Sequence, residues 1–96
     1  MPTLTVVAEL KAKLGKEQQL QEMLAALLEP SRQDPGCINY DLHVGAEDPG
    51  FFLFYETWES KALWEQHMEA PHLQAFKAQS AGLVETFTLH LLHKCA

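Results

Sequence analysis

Apolar residues recur along four segments with the spacing of β-strands, which predicts strands over residues 3–12, 37–44, 51–58 and 84–93. In the second segment the apolar residues alternate with polar ones, so one face of that strand should be wetter. In the third segment apolar residues fall on both faces as far as Tyr55, which is typical of a central strand covered on both sides.

Between the strands, apolar residues follow the helical repeat. Residues 16–33 form the first predicted helix, with Pro30 expected to kink or end it. Residues 59–70 form a second helix, and a short third one runs from His72 to about Ser80. The apolar positions expected to face the core are Leu20, Met23, Leu24, Leu27 and Leu28 in the first helix, and Ala62, Leu63, Trp64 and Met68 in the second.

The element order is β-α-β-β-α-β, which predicts an α+β fold of the ferredoxin-like, split βαβ type. Four antiparallel strands would carry helices on one face, and all 96 residues would form a single domain. The other face of the sheet would be bare. Because 47% of the residues are hydrophobic, more than one small core readily hides, we expect a homodimer through this open face.

Charge and composition narrow the classes of partner. The chain has 7 Lys and Arg against 13 Asp and Glu, so no basic stripe is available for nucleic acid. No apolar run approaches the roughly 20 residues that span a bilayer, and no basic segment precedes the apolar N-terminus. We therefore expect a cytoplasmic protein without nucleic acid or membrane partners, in which Cys37 and Cys95 are free thiols.

The candidate chemistry is concentrated in one strand and the helices after it. Strand parity places Phe54, Glu56 and Trp58 on one face of the third strand. Burial among aromatic residues would raise the pKa of the Glu56 carboxyl toward that of a general base. His67 on the following helix could reach back to Glu56, and His72 follows Pro71 at a helix start; both are candidate acid-base groups.

Other residues of this region have a binding interpretation and a structural one. Trp58 and Trp64 are suited to stacking on a planar aromatic ligand, although core packing would also explain them. Asn39 shares a strand face with Asp41 and His43; it could line the mouth of a pocket, or belong to a solvated edge. We predict no metal site, because His67 and His72 have the spacing i, i+5 and no metal-binding motif is present. Nor does the sequence contain GxGxxG, CxxCH or a cysteine cluster, so no redox cofactor is expected.

Several motifs resemble the antibiotic biosynthesis monooxygenase family over nearly the whole chain. They are the Glu9 that follows LTVVA, the segment DPGCINYDL, and above all LFYETWESKALWEQHMEAPHLQAF. ExWES followed by HxxxPH is most similar to the small bacterial quinol monooxygenases. The resemblance implies a dimeric α+β barrel with a pocket between sheet and helices. It also implies oxidation of a quinol or phenol by O₂ without metal, flavin or haem.

Departures from the family pattern bear on the substrate. Phe54 and Trp64 stand where the anthrone oxygenases carry Asn and Tyr, and Leu10 and Lys77 stand where haem-degrading relatives carry Asn and His. Both of those activities are disfavoured. The favoured prediction is therefore a cofactor-independent monooxygenase of a small aromatic, bound by Trp58, Trp64, Phe54 and Asn39, with Glu56, His67 and His72 as the catalytic candidates.

Two other functions remain open. Tyr55-Glu56 and the HxxxPH element also match the branch that isomerises the phosphorylated autoinducer-2 signal, so an isomerase or tautomerase is possible. A small-molecule-binding module without turnover is the third interpretation.

Overall fold

A computed structural model describes residues 2–96 as a four-stranded sheet with four helices. The elements are β1 (Leu4–Ala12), α1 (Glu17–Ala25), α2 (Leu28–Arg32), β2 (Cys37–Val44), β3 (Phe51–Trp58), α3 (Lys61–Met68), α4 (Pro71–Gln79) and β4 (Val84–Leu92). The strands are antiparallel and lie in the order β2-β3-β1-β4. This is the predicted ferredoxin-like α+β fold, and the prediction is confirmed.

One face of the sheet forms the core with the helices. Alternate residues of β1, from Leu4 to Ala12, are buried, and the register sets Val6 opposite Glu56 and Ala8 opposite Phe54. The side chains at these positions point to the same face because paired residues in a sheet share a face. Glu56 therefore lies in a row of otherwise apolar residues, which is the origin of its unusual environment.

The first helical region breaks earlier than the position of Pro30 suggested. α1 ends at Ala25, and α2 begins at Leu28 with Pro30 in its first turn. The backbone N–H groups of a first turn have no partner within the helix, so proline is tolerated there. The prediction that Pro30 ends the regular helix was wrong, because Pro30 sits at a start.

The second helical region also differs from the sequence prediction in the face it buries. Ser60 caps α3 by accepting a hydrogen bond from the Leu63 backbone N–H at 3.2 Å. The fully buried residues of α3 are Trp64 and His67, whereas Ala62 is exposed. Trp64 was among the predicted core positions, but the apolar pattern missed His67 because its side chain is polar.

The opposite face of the sheet is uncovered in the single chain. It presents Tyr55, which is 45% exposed, and Leu92, which is 46% exposed. Within residues 2–96, no helix has both the length and the apolar character needed to cross a membrane.

Candidate functional site

A cavity of about 380 Å³ lies between the sheet and the helices. Its wall is almost entirely apolar, with contributions from β1, β3, β4, α3 and α4, and its volume is at the small end of the range of ligand pockets. Three of its lining residues carry acidic or basic side chains: Glu56, His67 and Lys77. The lining also includes Tyr40, Phe54, Trp64, Leu73, Phe76 and Phe87.

Glu56 presents a carboxyl group to this apolar cavity. Its side chain is 4% exposed, and its Oε1 accepts a hydrogen bond of 2.9 Å from the Trp58 indole Nε1–H. Loss of hydration raises the pKa of Glu56 to about 7, against the smaller lowering effect of the Trp58 hydrogen bond. A carboxyl group with this pKa can give or take a proton near neutral pH.

Asp34 holds the His67 ring in place through its Nδ1 atom. The distance from His67 Nδ1 to Asp34 Oδ2 is 2.7 Å, and the His67 side chain is only 1% exposed. Burial lowers the pKa of His67, partly opposed by the hydrogen bond and the charge of Asp34. At neutral pH the imidazole is therefore uncharged, and the ring lines the cavity.

The same carboxylate oxygen also contacts His72, with 2.9 Å between His72 Nε2 and Asp34 Oδ2. The side chains of Asp34 and His72 are 17% and 21% exposed, so the cluster extends from the buried His67 toward the surface. The ring centroids of His67 and His72 are 5.9 Å apart. We refer to Asp34, His67 and His72 as the Asp-His-His cluster.

The local sequence explains how this cluster forms. Asp34 opens the Asp34-Pro35-Gly36 turn between α2 and β2, and the Gly36 carbonyl accepts a hydrogen bond from the Glu59 N–H at 2.8 Å. This bond ties the turn to the start of the segment that forms α3. The chain then bends at Ala70, where an extended backbone precedes Pro71 as the first residue of α4. The bend brings the last turn of α3 and the first turn of α4 to the same carboxylate.

An aromatic layer backs the two acid-base groups. The His67 ring lies 4.5 Å from Trp58 and 5.4 Å from Tyr40 between centroids, and Tyr40 is 4.8 Å from Phe54. Burial, reinforced by the nearby Glu56 charge, raises the pKa of the Tyr40 hydroxyl well above its usual range. Tyr40 therefore stays protonated at neutral pH.

The structure brings four of the predicted site residues to one cavity: Glu56, His67, Trp64 and Phe54. The suggested contact between His67 and Glu56 was wrong. His67 Nδ1 is hydrogen-bonded to Asp34, and Glu56 is hydrogen-bonded to Trp58. His72 contacts the same Asp34 oxygen as His67 does.

Trp58 and Asn39 lie elsewhere. Trp58 is 0% exposed and packs between Glu56 and His67, so it supports the cavity wall instead of offering a stacking surface. Asn39 is opposite Thr57 on the uncovered face of the sheet, and its amide donates to the Tyr55 carbonyl. Strand parity separates Asn39 from the cavity, because its neighbour Tyr40 lies opposite Glu56 and faces the cavity side.

Sequence reasoning missed Asp34, which had been seen only as part of a turn. The Asp-His-His cluster has side chains of the kind that bind metal ions, and their ligand atoms lie within 4.8 Å of one another. One Asp34 oxygen already makes direct contacts of hydrogen-bond length with both imidazoles. The prediction of no metal site stays a prediction.

Comparison with known proteins identifies the family. Residues 3–79 match the family described as antibiotic biosynthesis monooxygenase. The chain belongs to this family. The resemblance carried by ExWES and HxxxPH is thereby confirmed.

One solved structure and two sequence relatives are similar to this chain over most of its length. The crystal structure of PA3566 from Pseudomonas aeruginosa is 31% identical, with a TM-score of 0.96 over 100% of this chain and 97% of that one. The Escherichia coli protein named "Probable quinol monooxygenase YgiN" is 27% identical over 93% of this chain and 95% of its own length. A Synechocystis protein named "Uncharacterized protein sll1783" is 30% identical over 84% of this chain, which spans 55% of that relative's length.

Proposed function

We propose that this protein is a cofactor-independent monooxygenase that oxidises a small quinol or phenolic aromatic with O₂. The observation that carries the proposal is the pairing of two proton acceptors, Glu56 and His67, with one apolar cavity. Membership of the monooxygenase family and the similarity to a protein named as a quinol monooxygenase support it. The cavity volume suits one small fused-ring aromatic.

The chemistry requires only a proton acceptor and a dry site. A bound hydroquinone would lose a hydroxyl proton to His67 or Glu56, and the resulting anion would transfer one electron to O₂. The semiquinone and superoxide would then combine at a ring carbon that bears hydrogen to give a hydroperoxide. Loss of water from the hydroperoxide leaves one oxygen atom on the ring as a hydroxyquinone and the other in water. The quinol supplies all the electrons, so the reaction balances without a redox cofactor.

Oxygen uptake with reduced menadione as substrate tests the proposal. Chelator-treated wild-type protein should consume O₂ faster than the autoxidation rate and form the hydroxyquinone. The rate should fall by about 100-fold in His67→Ala or Glu56→Gln, whichever removes the base, since a general base contributes roughly 10²–10⁴-fold. His93→Ala, an exposed histidine near the C-terminus, is the matched control and should keep the wild-type rate. Uptake that never exceeds autoxidation would contradict oxygenation of this quinol.

A second function is favoured by the same two groups. A carboxyl with a pKa near 7 and a neutral imidazole on one cavity could also shuttle a proton between two carbons, as an isomerase or tautomerase does. Anaerobic turnover of an enolisable carbonyl compound would distinguish this activity, because it needs no O₂. A binding module without turnover is less well supported, since Glu56 is bonded to an indole instead of an ion-pair partner and the cavity is open.

We also propose that the protein acts as a homodimer through the uncovered sheet face. Half-exposed apolar side chains on interior and edge strands, such as Tyr55 and Leu92, support this arrangement.

A further inference from the structure

The Asp-His-His cluster gives the two nitrogens of His67 different tasks. Its Nδ1 is 2.7 Å from Asp34 Oδ2, on the side away from the cavity. Its Nε2 makes no hydrogen bond to any residue in the described range 2–96, and the ring lines the cavity. The side of the imidazole available to a ligand is therefore the Nε2 side.

The chemistry of the carboxylate decides which nitrogen carries the proton. An ionised carboxylate only accepts hydrogen bonds, so each imidazole nitrogen that contacts Asp34 must be the donor. This gives His67 an Nδ1–H and leaves Nε2 with a free lone pair when the ring is neutral. It also gives His72 an Nε2–H, because that atom is 2.9 Å from the same oxygen.

We propose that Asp34 is a positioning residue that holds His67 in the tautomer whose unprotonated Nε2 faces the cavity, and that His72 anchors Asp34 in this role. The proposal rests on the proposed function in one respect, that His67 Nε2 accepts the substrate proton. Asp34 touches no ligand in this scheme. It fixes the imidazole orientation and stabilises the imidazolium that forms when Nε2 takes up the proton.

The exposed fractions of the three side chains support a buried base, His67, and an anchor nearer the surface, His72. The His67 side chain is 1% exposed, whereas those of Asp34 and His72 are 17% and 21% exposed. The anchor therefore lies on the surface side of the base. Asp34 contacts the base, the rings of His72 and Tyr40 lie 5.9 Å and 5.4 Å from it between centroids, and Glu56 of β3 and Lys77 of α4 line the same cavity.

Asp34→Asn is the decisive variant because it keeps the shape and removes the charge. Its amide can donate a hydrogen bond to Nδ1 and so favours the other tautomer, with the proton on Nε2. We expect kcat for the quinol to fall by about 100-fold with KM within about threefold, which is the loss typical of a misplaced general base. Glu65→Gln is the charge-matched control. Glu65 is an exposed residue of α3 that does not line the cavity, and its variant should keep wild-type kcat.

The anchor is tested by two substitutions of His72. His72→Gln keeps an N–H donor within reach of Asp34 and should retain most of the activity. His72→Leu removes the donor and should lower kcat by about threefold to tenfold, within the range of a lost outer hydrogen bond. Recovery by the donor-bearing variant distinguishes anchoring from simple packing.

Nitrogen NMR tests the tautomer independently of any turnover. In ¹⁵N-labelled wild-type protein near pH 7.5, two-bond ¹H–¹⁵N correlations should show a protonated Nδ1 and an unprotonated Nε2 for His67, assigned by their loss in His67→Gln. The pattern should reverse in Asp34→Asn and persist in Glu65→Gln. A wild-type His67 protonated on Nε2, or an Asp34→Asn variant with unchanged tautomer, would overturn the proposal.

The kinetic and NMR measurements together distinguish failure of the proposed function from failure of the positioning role of Asp34. If quinol oxidation is absent in the wild type, the proposed function fails, while the tautomer measurement still decides the role of Asp34. If oxidation is present and depends on His67 but Asp34→Asn behaves as Glu65→Gln does, the positioning role fails and the proposed function stands.

Discussion

At the scale of single residues, the raised pKa of Glu56 suits acid-base chemistry but lowers the stability of the folded protein above pH 4.5. Its pKa is about 7 in the folded protein against an ordinary 4.5, because burial disfavours the charged form. The folded state therefore keeps a proton that the unfolded chain loses between about pH 4.5 and 7. The contribution of Glu56 to stability is most favourable below pH 4.5 and is lost as pH rises to 7.

Glu56→Gln should consequently stabilise the protein at pH 8 and have little effect at pH 4.5. Gln can still accept the Trp58 hydrogen bond without burying a charge. At about 1.4 kcal/mol per pKa unit, and allowing for relaxation around the charge, we expect a gain of about 2 kcal/mol at pH 8. Urea unfolding at both pH values measures it. Glu59→Gln, at an exposed position just after the end of β3, is the control. Equal stabilities of Glu56→Gln and wild type at pH 8 would contradict the prediction.

Residue identities in the cavity were partly accessible from the sequence. Strand parity and the family motifs led to Glu56, His67, Trp64 and Phe54, all of which line the cavity. Asp34 was not accessible in this way, because its partner His67 is 33 residues away and a turn aspartate has many ordinary roles. The DPG motif was the available signal, and only the fold shows that its carboxylate reaches the end of α3.

At the scale of elements, Gly36 controls how closely the Asp34 turn approaches α3. Its φ is +86°, and a Cβ added there would lie 2.5 Å from Cδ1 and 2.8 Å from Cβ of Leu63. Gly36→Ala should therefore destabilise the protein by about 2–4 kcal/mol, through the left-handed backbone and the contact with α3 together. Thermal and urea unfolding measure the change.

Gly15→Ala separates the two causes of this loss. Gly15 has almost the same φ, +85°, but no atom lies within 4 Å of an added Cβ. Gly15→Ala should lower the free energy of unfolding by only about 1–2 kcal/mol, which is the penalty of the left-handed backbone alone. If the two variants were equally stable, close packing of the turn against α3 would not be a constraint.

The strands were predictable because their apolar residues recur with a clear spacing along the chain. The break between α1 and α2 and the buried face of α3 were not. Alternation along β1 to β4 gave the strands to within one residue of their observed ends. The break between α1 and α2 at residues 26 and 27 has no proline or glycine to mark it, and Pro30 pointed four residues too late. The buried face of α3 was hidden because His67 is polar in sequence yet packs against Trp58 and Tyr40.

At the scale of the whole molecule, the two faces of the sheet differ in how well they are covered. The cavity face is closed by helices over β1 and β3, whereas the uncovered face presents Tyr55 at 45% exposure in the middle of the sheet. On this face Lys11 pairs with Asp48 and His90 with Glu9, so polar pairs surround apolar side chains. Isolated apolar residues on a surface are ordinary, but Val7 of β1 lies opposite Tyr55 of β3, and adjoining apolar side chains on two interior strands are typical of an interface.

The homodimer proposed above therefore predicts a mass of twice 10.8 kDa in sedimentation equilibrium at micromolar concentration. Tyr55→Asp should shift the protein toward the monomer, because a carboxylate would be buried against the second copy without a partner. Leu14→Asp is the matched control: Leu14 is 96% exposed in the loop after β1, away from the sheet face, and its variant should remain dimeric. A wild-type protein that sediments at 10.8 kDa, or a Tyr55→Asp variant as dimeric as Leu14→Asp, would show that the uncovered face does not join two copies. Loss of the dimer should also leave the His67 tautomer unchanged, since the Asp-His-His cluster is built from the turn and helices of one chain.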